Sequence, residues 1–191
     1  MMNPYQKIIF VSKPRCASTS VFNQIYKWVD KVNGNKPLYH VLAKNMKTRL
    51  INWDNTFSFG IVRNPYDLVS SWYYHHKTKP SISQDVKDFY PDTFEEWVKQ
   101  GFPTHWVKNL NWRTNPLKQK QWLYDGDKLI VSKVIRLENI NEEFEEVKSI
   151  MNIEENLTIN NSSSKKGIDK SLINNIYDYF KEDFITFNYN K

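Results

Sequence analysis

The stretch KIIFVSKPRCASTS, residues 7–20, contains the pattern that decides the fold. Its unbroken apolar run at 8–11 predicts a short strand buried on both faces. A cationic loop with Arg15 follows, and then come three hydroxyl residues, 18–20, of the kind that begin helices. Apolar residues then recur at helical spacing from Val21 to Val32. We therefore expect a strand, a short loop and a helix N-terminus.

This arrangement predicts a particular chemistry at the start of the helix. Free backbone N–H groups, the positive end of the helix dipole, the hydroxyl donors and the Arg15 guanidinium would all converge there. Such a P-loop-like site suits a phosphate or a sulfate. The alternative is that the hydroxyls merely cap the helix, and this stretch alone does not separate the two interpretations.

The composition limits the class of protein. The chain has 191 residues, 40% of them hydrophobic, which suits one globular domain over 1–191. A formal charge of +6 favours anionic partners. The single cysteine, Cys16, excludes an internal disulfide framework and a cysteine-rich zinc site. No signal peptide or membrane-spanning apolar run is evident, so we expect a cytoplasmic protein without a membrane span.

The opening pattern recurs along the chain. A second buried strand is predicted at 57–62 (FSFGIV), followed by Arg63 and a helix from Asp67. A third strand is predicted at 128–135 (KLIVSKVI), then a helix capped by Asn139 and a last helix over 169–180. Strands separated by helices predict an α/β fold with a mostly parallel central sheet flanked by helices. We interpret the proline-rich and aromatic-rich segment 77–121 as an acceptor-side insertion.

A second phosphate-binding pair is predicted after the second strand. Arg63 closes that strand, and Ser71 lies on the following helix, eight positions on. A bidentate guanidinium and a hydroxyl at that separation could hold one phosphate from two sides.

These motifs resemble those of sulfotransferases that use 3′-phosphoadenosine 5′-phosphosulfate (PAPS). Residues 14–20 (PRCASTS) resemble the family's 5′-phosphosulfate loop, and RNPYD at 63–67 with Ser71 resembles its 3′-phosphate motif. Residues 121–126 and 135–139 resemble the central segment of heparan- and chondroitin-type carbohydrate sulfotransferases. The KKG loop at 165–167 and KEDF at 181–184 are also typical of the family.

The resemblance implies an enzyme that moves a sulfuryl group from PAPS to an acceptor hydroxyl. The product would be adenosine 3′,5′-bisphosphate (PAP), and the acceptor would be a small molecule or glycan, with a carbohydrate expected. The residues that it implies for the cofactor are Arg15, Cys16, Ala17, Ser18, Thr19, Ser20, Arg63, Ser71, Lys165, Lys166 and Gly167.

Two positions depart from the family pattern. Arg15 stands where lysine is usual, and because arginine does not readily give up a proton, we expect its role to be electrostatic. Lys13 could substitute as a catalytic lysine, although its register favours a solvated lysine at the strand end. Cys16 stands where a small or hydroxyl residue is common, and we interpret it as a loop-packing residue.

The acceptor hydroxyl must lose a proton as it attacks sulfur, so a general base is required. His40 is the preferred candidate, because YHV at 39–41 resembles the histidine segment of uronyl-type sulfotransferases. A structural histidine bonded to backbone is the alternative. Glu138, in a setting that favours an ion pair, and His105, in the insertion, are the other candidates for the base. No metal is expected, because no histidine pair has metal-ligand spacing with an acidic partner.

Competing functions remain at this point. A P-loop-like kinase shares the strand–loop–helix geometry, but the chain has no G-x-x-x-x-G-K-[ST] motif and no glycine in the first loop. A nucleic-acid-binding module would suit the basic charge, yet no recognition motif is present, so no nucleic-acid partner is expected. A non-catalytic PAPS-binding protein of the same fold is the third alternative, because of Arg15.

Overall fold

The computed structural model describes residues 7–32, 36–105, 117–154 and 167–191. The chain divides into two compact units. The first is formed by Met1–Arg63 with Gln119–Ser162, and the second by Asn64–Lys118 with Ser163–Lys191.

The first unit contains every strand of the described residues. The strands are β1 (Ile9–Val11), β2 (Lys31–Val32), β3 (Lys36–Pro37), β4 (Ser58–Val62), β5 (Tyr124–Asp125), β6 (Lys128–Leu129) and β7 (Lys133–Arg136). Its helices are α1 (Ser18–Ile25), α2 (Ala43–Lys47), α6 (Lys120–Leu123), α7 (Ile140–Glu143) and α8 (Glu145–Met151), with 3-10 turns at Trp53–Asn55 and Leu137–Asn139. The second unit is helical, with α3 (Pro65–Thr78), α4 (Gln84–Phe89), α5 (Phe94–Lys99) and α9 (Lys170–Thr186).

The central sheet has three parallel strands in the order β1-β4-β7. All residues of β1 and of β4 are buried, as predicted for both strands. At Gly60, in the middle strand, a Cβ would lie 2.2 Å from a methyl carbon of Leu123, so only glycine leaves room for this packing. The α/β fold with a parallel sheet flanked by helices is thus confirmed. The loops after β1 and β4 meet at one edge, because the carboxyl ends of parallel strands lie together.

The first helix is shorter than its periodicity indicates. It ends at Ile25, residues 26–28 form a turn, and Val29 and Val32 belong to extended chain. Val29 forms a parallel bridge with Ile8, supported by backbone hydrogen bonds from Ile8 to Trp28 and from Asp30 to Ile8. The prediction of one helix as far as Val32 is therefore wrong. The open strand edge at Ile8 supplies backbone partners and a buried position, both of which suit the β-branched Val29.

The region after the insertion also differs in detail from the prediction. The expected strand over 128–135 is interrupted: β6 pairs antiparallel with β5, and only β7 joins the central sheet. The expected helix is divided into α7 and α8. Asn139 is at the N-cap position, but its side chain makes no cap hydrogen bond and instead donates to Glu143. The hydrogen bond to the Glu143 carboxylate thus takes the place of the expected cap.

The second unit is built from helices around an aromatic cluster. Asn64 caps α3 through its side chain, which accepts from the backbone of Tyr66, and Pro65 occupies the first turn, where its missing N–H costs nothing. Thr93 begins α5 with a complete capping box to Glu96. The last helix is longer than predicted, reaching Thr186. Among the described residues, no helix combines the length and apolarity needed to cross a bilayer.

Candidate active site

The loop after β1 has an unusual backbone. Arg15 and Ala17 both adopt left-handed conformations, with φ of 68° and 54°. Such conformations cost about 1–2 kcal/mol for each residue that carries a Cβ. Strain of this kind persists only where the surroundings over-determine it, and it clusters at ligand sites. The absence of glycine from this loop therefore indicates that the contacts around the loop impose its shape.

The three hydroxyl residues lie in the first turn of α1. The N-cap position is occupied by Ala17, which has no side-chain cap hydrogen bond, so the interpretation of the hydroxyls as helix caps is wrong. Ser18 and Ser20 are buried, whereas Thr19 is exposed. The Tyr39 hydroxyl lies 3.1 Å from Thr19 Oγ1 and 3.5 Å from Ser18 Oγ. These hydroxyls therefore lie in the first turn of α1, at the positive end of the helix dipole, where an anion is favoured.

Lys13 is buried at the end of β1, with 1% of its surface exposed. Its Nζ lies 5.6 Å from the ring centroid of Trp122, which is also buried. The expectation of a solvated lysine is therefore wrong. The apolar wall from α6 covers the strand end, and the cation faces an aromatic ring instead of water.

Two arginines approach each other across the ends of β1 and β4. Arg63 Nη1 donates to the backbone carbonyl of Arg15 at 3.4 Å. Partial burial lowers the pKa of the Arg15 guanidinium, and the positive charge of Arg63 lowers it further, while Cys16 opposes the shift. Two guanidinium groups that repel each other in a partly buried position are stabilised when an anion binds between or beside them. This edge of the first unit is therefore electrostatically suited to phosphate or sulfate.

A residue that the sequence did not point to connects these loops. Gln119 is fully buried and exchanges two hydrogen bonds with the backbone of Arg63, each 2.7 Å long. Its Oε1 also accepts from Cys16 Sγ at 3.7 Å. Gln119 lies 56 positions from Arg63 along the chain, and no motif or periodicity marks it. Only the folded chain shows that it belongs to the site.

Cys16 is enclosed by this network. Burial raises the pKa of the thiol, an effect that the positive charges of Lys13, Arg63 and Arg15 oppose and the carboxylate of Glu138 reinforces. The raised pKa keeps the thiol protonated at neutral pH, and a protonated, fully buried thiol is a poor nucleophile.

We therefore expect Cys16 to be chemically silent in the folded protein. A thiol reagent such as 5,5′-dithiobis(2-nitrobenzoate) should react at neutral pH only after unfolding, and the reading is unambiguous because the chain has one cysteine. Cys16→Ala should lower turnover by less than about tenfold, because it removes the weak S–H donor to Gln119 but leaves the loop backbone in place. A loss of more than about a hundredfold would instead identify a covalent role.

His40 is brought to the end of β1. Its backbone N–H donates to Ser12 Oγ at 2.9 Å, and its Nδ1 lies 2.7 Å from the Ser12 carbonyl oxygen. A carbonyl can only accept, so Nδ1 carries the proton and Nε2 carries the lone pair in the neutral ring. The backbone of His40 is left-handed, with φ of 57°. The hydrogen bond from Nδ1 to the Ser12 carbonyl is the one expected of a structural histidine. The same bond fixes the ring and leaves Nε2 as the proton acceptor that a general base needs.

The other candidate residues from the sequence lie in several parts of the chain. Ser71 is buried on α3, within the second unit, whereas Arg63 ends the first segment of the first unit. Lys165 and Lys166 lie outside the described residues, and Gly167 is exposed shortly before α9. Glu138 is exposed on the 3-10 turn after β7, where Arg136 pairs with Glu143.

The other histidines lie in the second unit. His76 Nδ1 is 2.8 Å from the carbonyl oxygen of Trp72, and its ring stacks on Tyr90. His105 Nδ1 lies 3.0 Å from the Tyr90 hydroxyl, and burial lowers the pKa of its imidazole, an effect that Asp85 opposes. In the part of the chain that the structure describes, no group of His, Cys, Asp and Glu side chains is arranged to hold a metal ion.

Parallel strands, a strained loop that leads into a helix N-terminus and cations at adjacent strand ends are features common in α/β proteins that bind phosphate groups. The family model described as "Sulfotransferase family" matches residues 1–190. The chain therefore belongs to the sulfotransferase family, whose members are enzymes that transfer a sulfuryl group from PAPS and release PAP. No individual curated protein matches the chain.

Proposed function

We propose that this enzyme transfers the sulfuryl group of PAPS to a hydroxyl of a carbohydrate. The observation that carries the cofactor assignment is the pair of mutually repelling guanidiniums of Arg15 and Arg63 at adjacent strand ends. PAPS carries anionic groups at both its 5′ and its 3′ positions, so it can neutralise both arginines. Sulfate alone would engage one such position.

Each end of PAPS is assigned to one motif in this proposal. The 5′-phosphosulfate is held by Arg15, by the backbone N–H groups of residues 17–20 and by the hydroxyls of the first turn of α1, since these lie at the positive end of the helix dipole. The 3′-phosphate is held by Arg63, assisted by Ser71 and the loop of Lys165, Lys166 and Gly167, as the resemblance implies.

The transfer step requires one base and one electrostatic stabiliser. The acceptor oxygen forms a bond to sulfur as the bond between sulfur and the bridging oxygen of the 5′-phosphate breaks, and that electron pair leaves with PAP. His40 Nε2 takes the proton of the acceptor hydroxyl, because Nδ1 is already committed to the Ser12 carbonyl. Arg15 and the buried cation of Lys13 stabilise the negative charge that grows on the leaving phosphate.

The carbohydrate acceptor is supported by the resemblance of residues 121–126 and 135–139 to heparan- and chondroitin-type enzymes. The test is transfer of labelled sulfate from PAPS to a panel of glycans, small phenols and tyrosine peptides. Preferential labelling of glycans is expected. Labelling confined to phenols or peptides would contradict the carbohydrate assignment while leaving the PAPS assignment intact.

The cofactor assignment is tested by replacing Arg63 with alanine. PAP binding should weaken by about 2–4 kcal/mol, the scale for truncating one side of a buried charge pair. Binding of 5′-AMP, which lacks the 3′-phosphate, should barely change. Isothermal titration calorimetry with both nucleotides measures the difference.

Arg49→Ala is the matched control, because Arg49 is an exposed arginine in the same unit and its removal changes the net charge equally. It should leave both affinities near the wild-type values. Equal losses for PAP and 5′-AMP in Arg63→Ala would show that Arg63 does not read the 3′-phosphate.

A further inference from the structure

Just beyond the end of β4, the side chain of Gln119 makes the two backbone hydrogen bonds that a neighbouring strand would otherwise make. β4 ends at Val62, whose partner in β7 is Arg136. At the next residue, Gln119 Oε1 accepts from the Arg63 N–H and Gln119 Nε2 donates to the Arg63 carbonyl, both at 2.7 Å. One amide therefore satisfies both backbone groups of Arg63, as a neighbouring strand would.

The same amide also reaches the loop after β1. Cys16 Sγ donates to Gln119 Oε1, and Cys16 lies between the two left-handed residues, Arg15 and Ala17. Gln119 is fully buried, so these bonds form away from competing water. It thereby joins the backbone next to Arg15 to the backbone of Arg63.

Joining these two points has an electrostatic consequence. Without a bound anion, the guanidiniums of Arg15 and Arg63 repel each other. Repulsion favours separation of the two loops, and the buried amide opposes this separation. A glutamine serves here because it offers a donor and an acceptor together without adding a charge that would compete with the ligand.

We propose that Gln119 is a positioning residue that fixes the Arg63 backbone so that its guanidinium can read the 3′-phosphate of the nucleotide. The inference rests on the proposed function, in which Arg63 binds that phosphate. Gln119 acts through Arg63 and need not touch the nucleotide. Its loss should therefore remove discrimination between nucleotides with and without the 3′-phosphate.

The test uses Gln119→Met, which keeps the length of the side chain but cannot form the paired bonds to Arg63. Affinities for PAP and 5′-AMP are measured by calorimetry. The ratio of the two affinities should fall by about tenfold relative to the wild type, the scale for leaving buried backbone groups unsatisfied. Gln121→Met, an exposed position two residues away, is the control and should keep the wild-type ratio.

Gln119→Leu is the second variant, because it removes both hydrogen bonds to the Arg63 backbone without adding a charge. The same fall in the ratio is expected. An unchanged ratio in a folded variant, even with a lower melting temperature, would overturn the inference. Failure of both variants to fold would also overturn it, since Gln119 would then serve the fold as a whole.

The failure of the proposed function would look different. In that case the wild-type protein itself would bind PAP no better than 5′-AMP. A wild type that prefers PAP, together with variants that prefer it equally, would contradict only the role of Gln119.

Discussion

Replacing His40 with asparagine is expected to lower turnover by about two to four orders of magnitude, the usual contribution of a positioned base. The amide keeps some hydrogen bonding to Ser12 but cannot accept the proton of the acceptor hydroxyl. Asparagine is the informative substitution because it tolerates the left-handed backbone at φ of 57° better than alanine does. PAP binding should survive, since the nucleotide-binding motifs do not include this side chain.

The pH dependence gives an independent measurement. Only neutral imidazole can accept a proton, so kcat/KM of the wild type should be low under acidic conditions and rise as the pH is raised. The residual activity of His40→Asn should lack that rise. His76→Asn is the matched control, because its Nδ1 also bonds to a backbone carbonyl and it lies outside the first unit. It should retain the wild-type profile.

A structural role for His40 would give a different result. The Asn variant would then melt at a lower temperature yet keep more than about a tenth of the wild-type turnover, a change below ~1.4 kcal/mol in the barrier. The search for the base would then move to Glu138→Gln and His105→Asn, the two remaining candidates.

Arg15→Ala should lower turnover by about 10²–10³-fold, the loss typical of removing one preorganised donor from developing negative charge. The affinity for PAP should fall less, because the interaction strengthens as the bond to sulfur breaks. Arg15→Lys should retain substantial activity, since the family usually carries lysine here. Single-turnover kinetics at saturating PAPS separate the two effects.

Two outcomes at this position would contradict the electrostatic role. An inactive Arg15→Lys that binds PAP normally would mean that the guanidinium shape, and not its charge, is required. Equal losses in affinity and turnover for Arg15→Ala would mean that Arg15 binds the ground state and the transition state alike.

The local patterns in the sequence were sufficient for the fold class and for a set of candidate site residues. Mostly apolar runs marked β1 and β4, because a strand buried on both faces suits them better than a half-exposed one. The cations that follow those runs marked the binding edge, because the ends of parallel strands meet there. The family resemblance then placed His40 among the candidates, and the structure brings it to the Ser12 backbone at the end of β1.

The tertiary structure decided the contacts between residues that are distant in sequence, because local patterns contain no information about them. Val29 pairs with Ile8 instead of extending α1, because a free strand edge offers backbone partners that no helical periodicity records. Lys13 is buried against Trp122, more than a hundred positions away along the chain. Gln119 holds Arg63 through its amide across 56 positions. The loops at the strand ends are held by side chains that are distant in sequence and come close only when the chain packs. The sequence therefore predicted the chemistry of the candidate site. The packing of the folded chain determined which residues hold these loops in place.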